Sequence, residues 1–115
     1  MAPVAGNDYT RSCAPDRAVP VMQFHGTADT TVPYSGAETS TASWVSRNGC
    51  DPSPMVTFDQ GNATCETYRG CEGQAEVTLC TIQGLGHVWP GAFGGGSDIA
   101  ATEAMWPFFE AHRLP

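Results

Sequence analysis

Two runs in this chain have the pattern of β-strands, and the first has that of a strand buried on both faces. Residues 19–24 form an almost continuous apolar run, and residues 76–82 alternate and are rich in β-branched side chains. Continuous runs of this length are typical of parallel strands, whose two faces are covered by helices. The pattern therefore predicts two strands, with a further short strand at residues 55–58.

The stretches after these runs favour helices. Residues 37–48 are compatible with a helix that ends before Gly49, a residue suited to the left-handed position after a helix. Near the chain end, apolar side chains recur at helical spacing, and Pro107 is predicted to kink or shorten that helix. Ser97 or Asp98 is predicted to cap its first turn, and for Asp98 a cap is favoured over the orientation of a loop.

Two other segments lack a clear period. Residues 60–73 are predicted to form a loop or hairpin, and the glycine-rich residues 91–97 to have no regular structure. Residues 1–6 form a short apolar piece that ends at glycine and are predicted to be the end of a strand.

The order of these elements predicts an α/β architecture with a mostly parallel sheet flanked by helices. Two or three parallel strands make an incomplete sheet, because such sheets need helices on both faces and neighbours along their edges. Residues 1–115 are therefore expected to be the C-terminal part of one larger domain, with its N-terminal half missing from this sequence.

Composition narrows the class of partner. The 115 residues carry a net charge of −7, from 12 acidic residues against five arginines and no lysine, and 41% of them are hydrophobic. A nucleic-acid partner is disfavoured, because binding to phosphate backbones needs a basic face. An anionic membrane surface is disfavoured for the same reason. No run is long enough to cross a bilayer, and no basic start leads into an apolar segment.

Five cysteines in so short a chain indicate an oxidising compartment and disulfide bonds. Cys65 and Cys71 flank a short segment and are predicted to close a small loop, which leaves Cys50 to pair with Cys80 and Cys13 unpaired within this chain. The spacing alone leaves the connectivity open. No C-x-x-C occurs, so a zinc site is not expected.

The candidate chemistry lies on two loops. Asp29 follows the first predicted strand, and His87 lies in a glycine-rich turn after the strand at residues 76–82. Open α/β sheets place their chemistry at the carboxyl ends of strands. An Asp followed by a His matches the second and third members of a Ser…Asp…His triad, although no G-x-S-x-G is present in the 115 residues.

These loops also carry a family resemblance. The sequence His-Gly-Thr-Ala-Asp at residues 25–29, followed by Val-Pro-Tyr at 32–34, resembles the acid loop of the polyhydroxybutyrate depolymerase and feruloyl esterase group of secreted α/β-hydrolases. Gly-His-Val-Trp-Pro-Gly at residues 86–91 resembles the histidine loop of that group. Leu85 and Val88 depart from its usual pattern, which has Gly and Thr there.

The resemblance implies the C-terminal portion of an α/β-hydrolase fold and a secreted carboxylic-ester hydrolase. Asp29 would orient His87, and the serine would lie upstream of Met1. The substrate would be a polyhydroxyalkanoate polyester or a hydroxycinnamoyl ester of the plant cell wall, and no metal or organic cofactor is expected. Trp89 is expected to pack the His87 loop or to line an acyl pocket.

The sequence leaves one alternative function open and also indicates a role for His25. The absent serine motif favours, as the alternative, a non-catalytic remnant or binding module held together by disulfides. His25 is expected to be structural, because a side chain at the start of a turn can hydrogen-bond the backbone of that turn.

Overall fold

A mixed four-stranded sheet with a helix on each face forms the described part of the chain, which is residues 1–10, 12–92 and 96–114 of a computed structural model. The elements follow one another as β1 (Val21–Gly26), α1 (Tyr34–Arg47), β2 (Met55–Gln60), β3 (Ala63–Tyr68), a short 3-10 turn (Glu72–Gln74), β4 (Val77–Ile82) and α2 (Ala101–Ala111). The predicted irregular segment 91–97 lies partly outside these residues, because 93–95 are not described.

The sheet has the strand order β1-β4-β3-β2. β1 and β4 are parallel, in a register that runs from Val21 opposite Val77 to Gly26 opposite Ile82. β3 pairs antiparallel with both β4 and β2, and it lies in the segment predicted as loop or hairpin. The two strands β1 and β4 are thus parallel as expected, whereas the rest of the sheet is antiparallel. Membership of a larger α/β domain stays a prediction.

Alternation along the two parallel strands gives the sheet two buried faces. Val21 and Val77 pack with Trp44 of α1 on one face. Phe24 and Ile82 point to the opposite face, because successive side chains of a strand alternate, and they pack there in a cluster that includes Met105 of α2. Both apolar runs are buried as their pattern predicts.

The N-terminal segment lies along the free edge of β1. Val4 forms a parallel bridge with Phe24, whose carbonyl accepts the Ala5 amide at 2.9 Å and whose own amide donates to the Pro3 carbonyl at 3.0 Å. This pairing agrees with the prediction that residues 1–6 include the end of a strand. It also covers part of an edge that would otherwise expose unpaired backbone groups.

The first helix begins three residues earlier than predicted and ends at Arg47, one residue before the predicted end. Asn48 follows its last residue, and Gly49 has a φ of 65°, the left-handed conformation that glycine adopts without strain. The Asn48 side chain bonds both backbone groups of Val19, with its Oδ1 accepting at 3.0 Å and its Nδ2 donating at 2.7 Å. The helix end is therefore fixed to the residue that leads into β1.

The second helix has no side-chain cap. Ala100 precedes its first turn, and the helix continues through Pro107 to Ala111. The prediction that Asp98 caps this helix is wrong, because its Oδ2 instead accepts the amide of Asn62 at 2.8 Å in the β2–β3 turn. Neither helix, nor any other in the described ranges, is long and apolar enough to cross a bilayer.

The disulfides differ from the predicted pairing. The structure joins Cys65 to Cys80 and Cys50 to Cys71, and Cys13 lies outside both bonds. Cys65 and Cys80 are direct partners on the neighbouring strands β3 and β4, where facing side chains are close enough to bond.

Strand geometry explains the error. Cys65 and Cys71 are separated by the remainder of β3, which extends about 3.3 Å per residue and moves them apart. Beyond the strand the chain turns towards the end of α1, where the Glu72 amide donates to the Asn48 carbonyl at 2.9 Å. That bond places Cys71 beside Cys50.

We predict that the double variant Cys65→Ala/Cys80→Ala lowers the free energy of unfolding by about 3 kcal/mol. The reason is that the disulfide closes a loop with a sequence separation of 15 and so restricts the conformational entropy of the unfolded chain. Urea denaturation of the variant against the parent measures the change. The control variant Cys13→Ala leaves both disulfides in place and is expected to change it less.

Disulfide mapping tests the connectivity itself. Trypsin combined with a protease that cuts after Asp and Glu separates the four bonded cysteines onto different peptides. Under non-reducing conditions, a peptide that links Cys65 to Cys71 would contradict the structure.

Candidate active site

The parallel pairing of β1 with β4 brings the two candidate loops together. The last pair in the register is Gly26 with Ile82, so both strands end at the same edge of the sheet. The loop after β1 carries Asp29, and the loop after β4 carries His87. Two side chains that are 58 residues apart in sequence therefore lie within hydrogen-bonding distance.

Backbone bonds join the two loops directly. The Thr27 amide donates to the Ile82 carbonyl, and the Ala28 amide donates to the Leu85 carbonyl, each at 3.0 Å. The Thr27 hydroxyl accepts the Gly84 amide at 2.9 Å. The loops consequently form one hydrogen-bonded unit, and the position of Asp29 relative to His87 does not rest on side-chain contacts alone.

Gly26 permits this close approach. A Cβ atom added there would lie 2.0 Å from the carbonyl oxygen of Leu85, a distance that no backbone atom tolerates. Only a residue without a side chain lets the end of β1 contact the backbone of the His87 loop.

Asp29 is a buried carboxylate whose two oxygens have separate partners. Its Oδ1 accepts the backbone amides of Thr31 at 2.9 Å and Val32 at 2.8 Å, which hold the carboxylate in its own loop. Its Oδ2 accepts from Nδ1 of His87 at 2.9 Å. The side chain itself has no exposed surface. The carboxylate is thus fixed by the backbone and directed at one imidazole.

His87 is the exposed partner of this pair. Its side chain is 45% exposed, and its Nδ1 faces Asp29. A carboxylate can only accept a hydrogen bond, so Nδ1 carries the proton and the neutral ring keeps a lone pair on Nε2. In the described ranges of the chain, no protein group hydrogen-bonds that Nε2. This imidazole can therefore take a proton from a group brought to its exposed side.

The environment of Asp29 favours its ionised form. Burial raises the pKa of this carboxyl, but the hydrogen bonds from Val32, His87 and Thr31 and the charge of His87 outweigh burial, so the pKa lies below its ordinary value of 3.8. Asp29 is therefore a carboxylate near neutral pH, as a group that stabilises a protonated imidazole must be.

Trp89 connects the His87 loop to α2. Its indole Nε1 donates to the hydroxyl of Thr102 at 3.1 Å, and the Pro90 carbonyl accepts the Ala101 amide at 3.0 Å. The residue is 45% exposed. These bonds agree with the expectation that Trp89 packs the loop, whereas a role in binding an acyl group stays a prediction.

His25 lies directly beside Asp29 and is almost completely buried. Its Nε2 is 2.6 Å from the Val32 carbonyl, and the Tyr34 ring lies edge-on to the imidazole with the ring centres 6.0 Å apart. This is the backbone hydrogen bond expected of a structural histidine in this turn. The position of His25 at the start of a turn allowed its backbone contact to be predicted from the sequence. Nothing in the sequence indicated the contacts of Thr27 and Thr102.

No metal-binding group accompanies the pair. Within residues 1–10, 12–92 and 96–114, no three His, Cys, Asp or Glu side chains lie together in a way that could hold a metal ion. The chemistry that the described residues themselves offer is proton transfer through His87, supported by the charge of Asp29.

Comparison with known proteins relates this chain to part of one larger protein. No protein-family model matches the chain. A feruloyl esterase B of Piromyces equi is 32% identical to it over 118 aligned positions, which cover 90% of this chain. The chain is similar to part of an esterase. It spans only about a fifth of the length of that esterase, because the aligned region is 20% of the relative.

We predict that Gly26→Ala lowers the free energy of unfolding of this chain by about 3 kcal/mol or more, since the new methyl group overlaps backbone rather than a movable side chain. Chemical denaturation measures the loss. Gly6→Ala is the matched control, because a Cβ there meets nothing closer than the Val4 carbonyl at 3.8 Å. Equal stability of the two variants would contradict the close contact of the loops.

The contribution of Asp29 to the stability of the fold should depend on pH. Because the pKa of Asp29 is lower in the folded chain than in the unfolded chain, its contribution to stability is complete above the unfolded value and is lost as the pH falls through the folded value. Wild type should therefore lose its advantage in unfolding free energy over Asp29→Asn as the pH falls below 3.8, the ordinary pKa of this carboxyl. Urea denaturation at a series of acidic pH values measures the free energy of unfolding of wild type and of Asp29→Asn. A difference between the two proteins that does not change with pH would contradict the lowered pKa of Asp29.

Proposed function

We propose that this chain supplies the acid and the base of a serine carboxylic-ester hydrolase. The observation that carries the proposal is the 2.9 Å contact between His87 Nδ1 and Asp29 Oδ2 at the carboxyl ends of two parallel strands. The similarity to part of a feruloyl esterase supports the same class of reaction.

The roles follow from the two nitrogens of one ring. Asp29 holds the proton on Nδ1 and stabilises the imidazolium that forms, while Nε2 takes the proton from a serine hydroxyl as its oxygen attacks the ester carbonyl. The protonated Nε2 then gives that proton to the leaving alcohol, and an acyl-enzyme forms. Water attacks the acyl-enzyme with His87 again as base, which releases the carboxylic acid and restores the serine.

The serine and the oxyanion donors belong to polypeptide outside the 115 residues in this proposal. The chain has no G-x-S-x-G, the turn that presents a nucleophile at the top of such sheets. The exposed side of His87 is where that hydroxyl would lie. The purified 115 residues are accordingly expected to be inactive alone.

A hydroxycinnamoyl ester of plant polysaccharide is the substrate class we propose. It rests on the name of the relative, a feruloyl esterase, and on the motifs of the two loops. The polyhydroxyalkanoate alternative shares those motifs, so the two substrates are compared in the assay below. Two disulfides support secretion of the protein, because such bonds persist in oxidising compartments.

We predict that a protein which joins this chain to in-frame upstream sequence encoding G-x-S-x-G hydrolyses methyl ferulate. In that protein, His87→Ala should lower kcat by roughly 10³-fold or more, because it removes the general base. Asp29→Asn should also lower kcat strongly, because it removes the charge and the tautomer control that support this base. Release of ferulic acid measures the rate, and soluble poly(3-hydroxybutyrate) oligomers measure the competing activity.

His112→Ala is the matched control, because that histidine lies at the end of α2 beside Glu76 and far from the strand ends that carry the site. It should leave kcat within a few-fold of wild type. Activity of the 115 residues alone would refute the need for an external serine. No ester hydrolysis by the longer protein would favour the non-catalytic binding module.

A further inference from the structure

We propose that His25 is a positioning residue that aims Asp29 at His87, acting through the N–H on its Nε2. This role rests on the proposed function of the Asp29–His87 pair, since it concerns how that pair is held. His25 does not contact a reacting atom.

The tautomer of His25 follows from its partner. Its Nε2 lies 2.6 Å from the carbonyl oxygen of Val32, and a carbonyl can only accept, so the proton resides on Nε2. The other nitrogen, Nδ1, is buried without a hydrogen-bond partner in the described ranges. Only one side of the ring therefore forms a hydrogen bond.

Val32 receives a bond on each side. Its amide donates to Oδ1 of Asp29 at 2.8 Å, and its carbonyl accepts from His25. The His25 ring thus fixes the residue that in turn fixes the carboxylate. The same Nε2 is 3.4 Å from Asp29 Oδ2, the oxygen that faces His87, so its N–H also contributes a weaker attraction there.

The remaining neighbours of His25 hold the ring itself. Tyr34 packs edge-on against it, and the Tyr34 hydroxyl is 2.6 Å from that of Thr81, the residue opposite His25 on β4. A ring packed in this way has little freedom to rotate. The position of Nε2 is therefore determined by both β1 and β4.

Packing alone does not account for a histidine at this site. An apolar side chain of similar size would fill the space without burying an unpaired nitrogen, which is unfavourable. The gain that offsets the unpaired Nδ1 is the bond from Nε2 to the Asp29 loop. A buried polar group that carries such a penalty is a candidate for a functional role.

Three substitutions separate this role from simple packing. Gln in place of His25 can put an amide N–H near the position of Nε2, whereas Asn reaches only the position of the unpartnered Nδ1. Leu fills the space with no donor. We expect His25→Gln to preserve the orientation of the Asp29 carboxylate towards His87. We expect His25→Asn and His25→Leu to lose this orientation.

NMR of the imidazole rings reports directly whether Asp29 is hydrogen-bonded to His87. The chain has three histidines, so protein labelled with ¹⁵N-histidine gives three sets of ring signals, which His87→Ala and His112→Ala assign. At a pH where His87 is neutral, wild type and His25→Gln should show its proton on Nδ1 with a downfield hydrogen-bonded resonance. His25→Asn and His25→Leu should lose that resonance and show a mixture of tautomers, while circular dichroism remains that of folded protein.

Several results would overturn the proposal. One is a wild-type His25 with its proton on Nδ1, which needs no variant to observe. Another is an unchanged His87 signature in folded His25→Leu, or equal behaviour of His25→Gln and His25→Asn. Unfolding of all three variants would make His25 a folding residue and would equally refute a positioning role. An inactive longer protein would refute the proposed esterase and would alter none of these signals.

Discussion

The parallel ladder between β1 and β4 is the constraint on which the candidate site depends. Because Gly26 and Ile82 end the two strands at the same level, the loops that follow are neighbours before any side chain is considered. The backbone bonds from Thr27 and Ala28 then join them. A shift in this register would separate Asp29 from His87, since side chains of a slipped strand point to the other face.

The ladder itself is held by burial on both faces. Val21 and Val77 pack beneath α1, and Phe24 and Ile82 beneath α2, so a slip would expose apolar side chains on each face at once. Burial of an apolar side chain of this size contributes about 1.5–3 kcal/mol, which is large against the net stability of a small domain. The same hydrophobic pattern that predicts the strands thus also fixes the geometry of the site.

The sequence predicts the parts of the site that depend on strand ends and little of what depends on register. Asp29 and His87 could be selected because each follows an apolar run, and adjacent parallel strands end at one edge. The cysteine pairing could not, because Cys65 faces Cys80 only once β3 is placed antiparallel to β4. Asp98 has the residue type of a helix cap, but the nearby Asn62 turn competes for its carboxylate, a contact between residues distant in sequence.

The distribution of exposure between Asp29 and His87 argues against a purely structural pair. A surface ion pair contributes little to stability, and burying a carboxylate is unfavourable unless several donors compensate it. Here Asp29 is fully enclosed and compensated by backbone amides, while one of its oxygens is directed at an imidazole that remains half-exposed. A proton-transfer site needs this asymmetry, because the acid must stay fixed and ionised while the base stays accessible to its substrate.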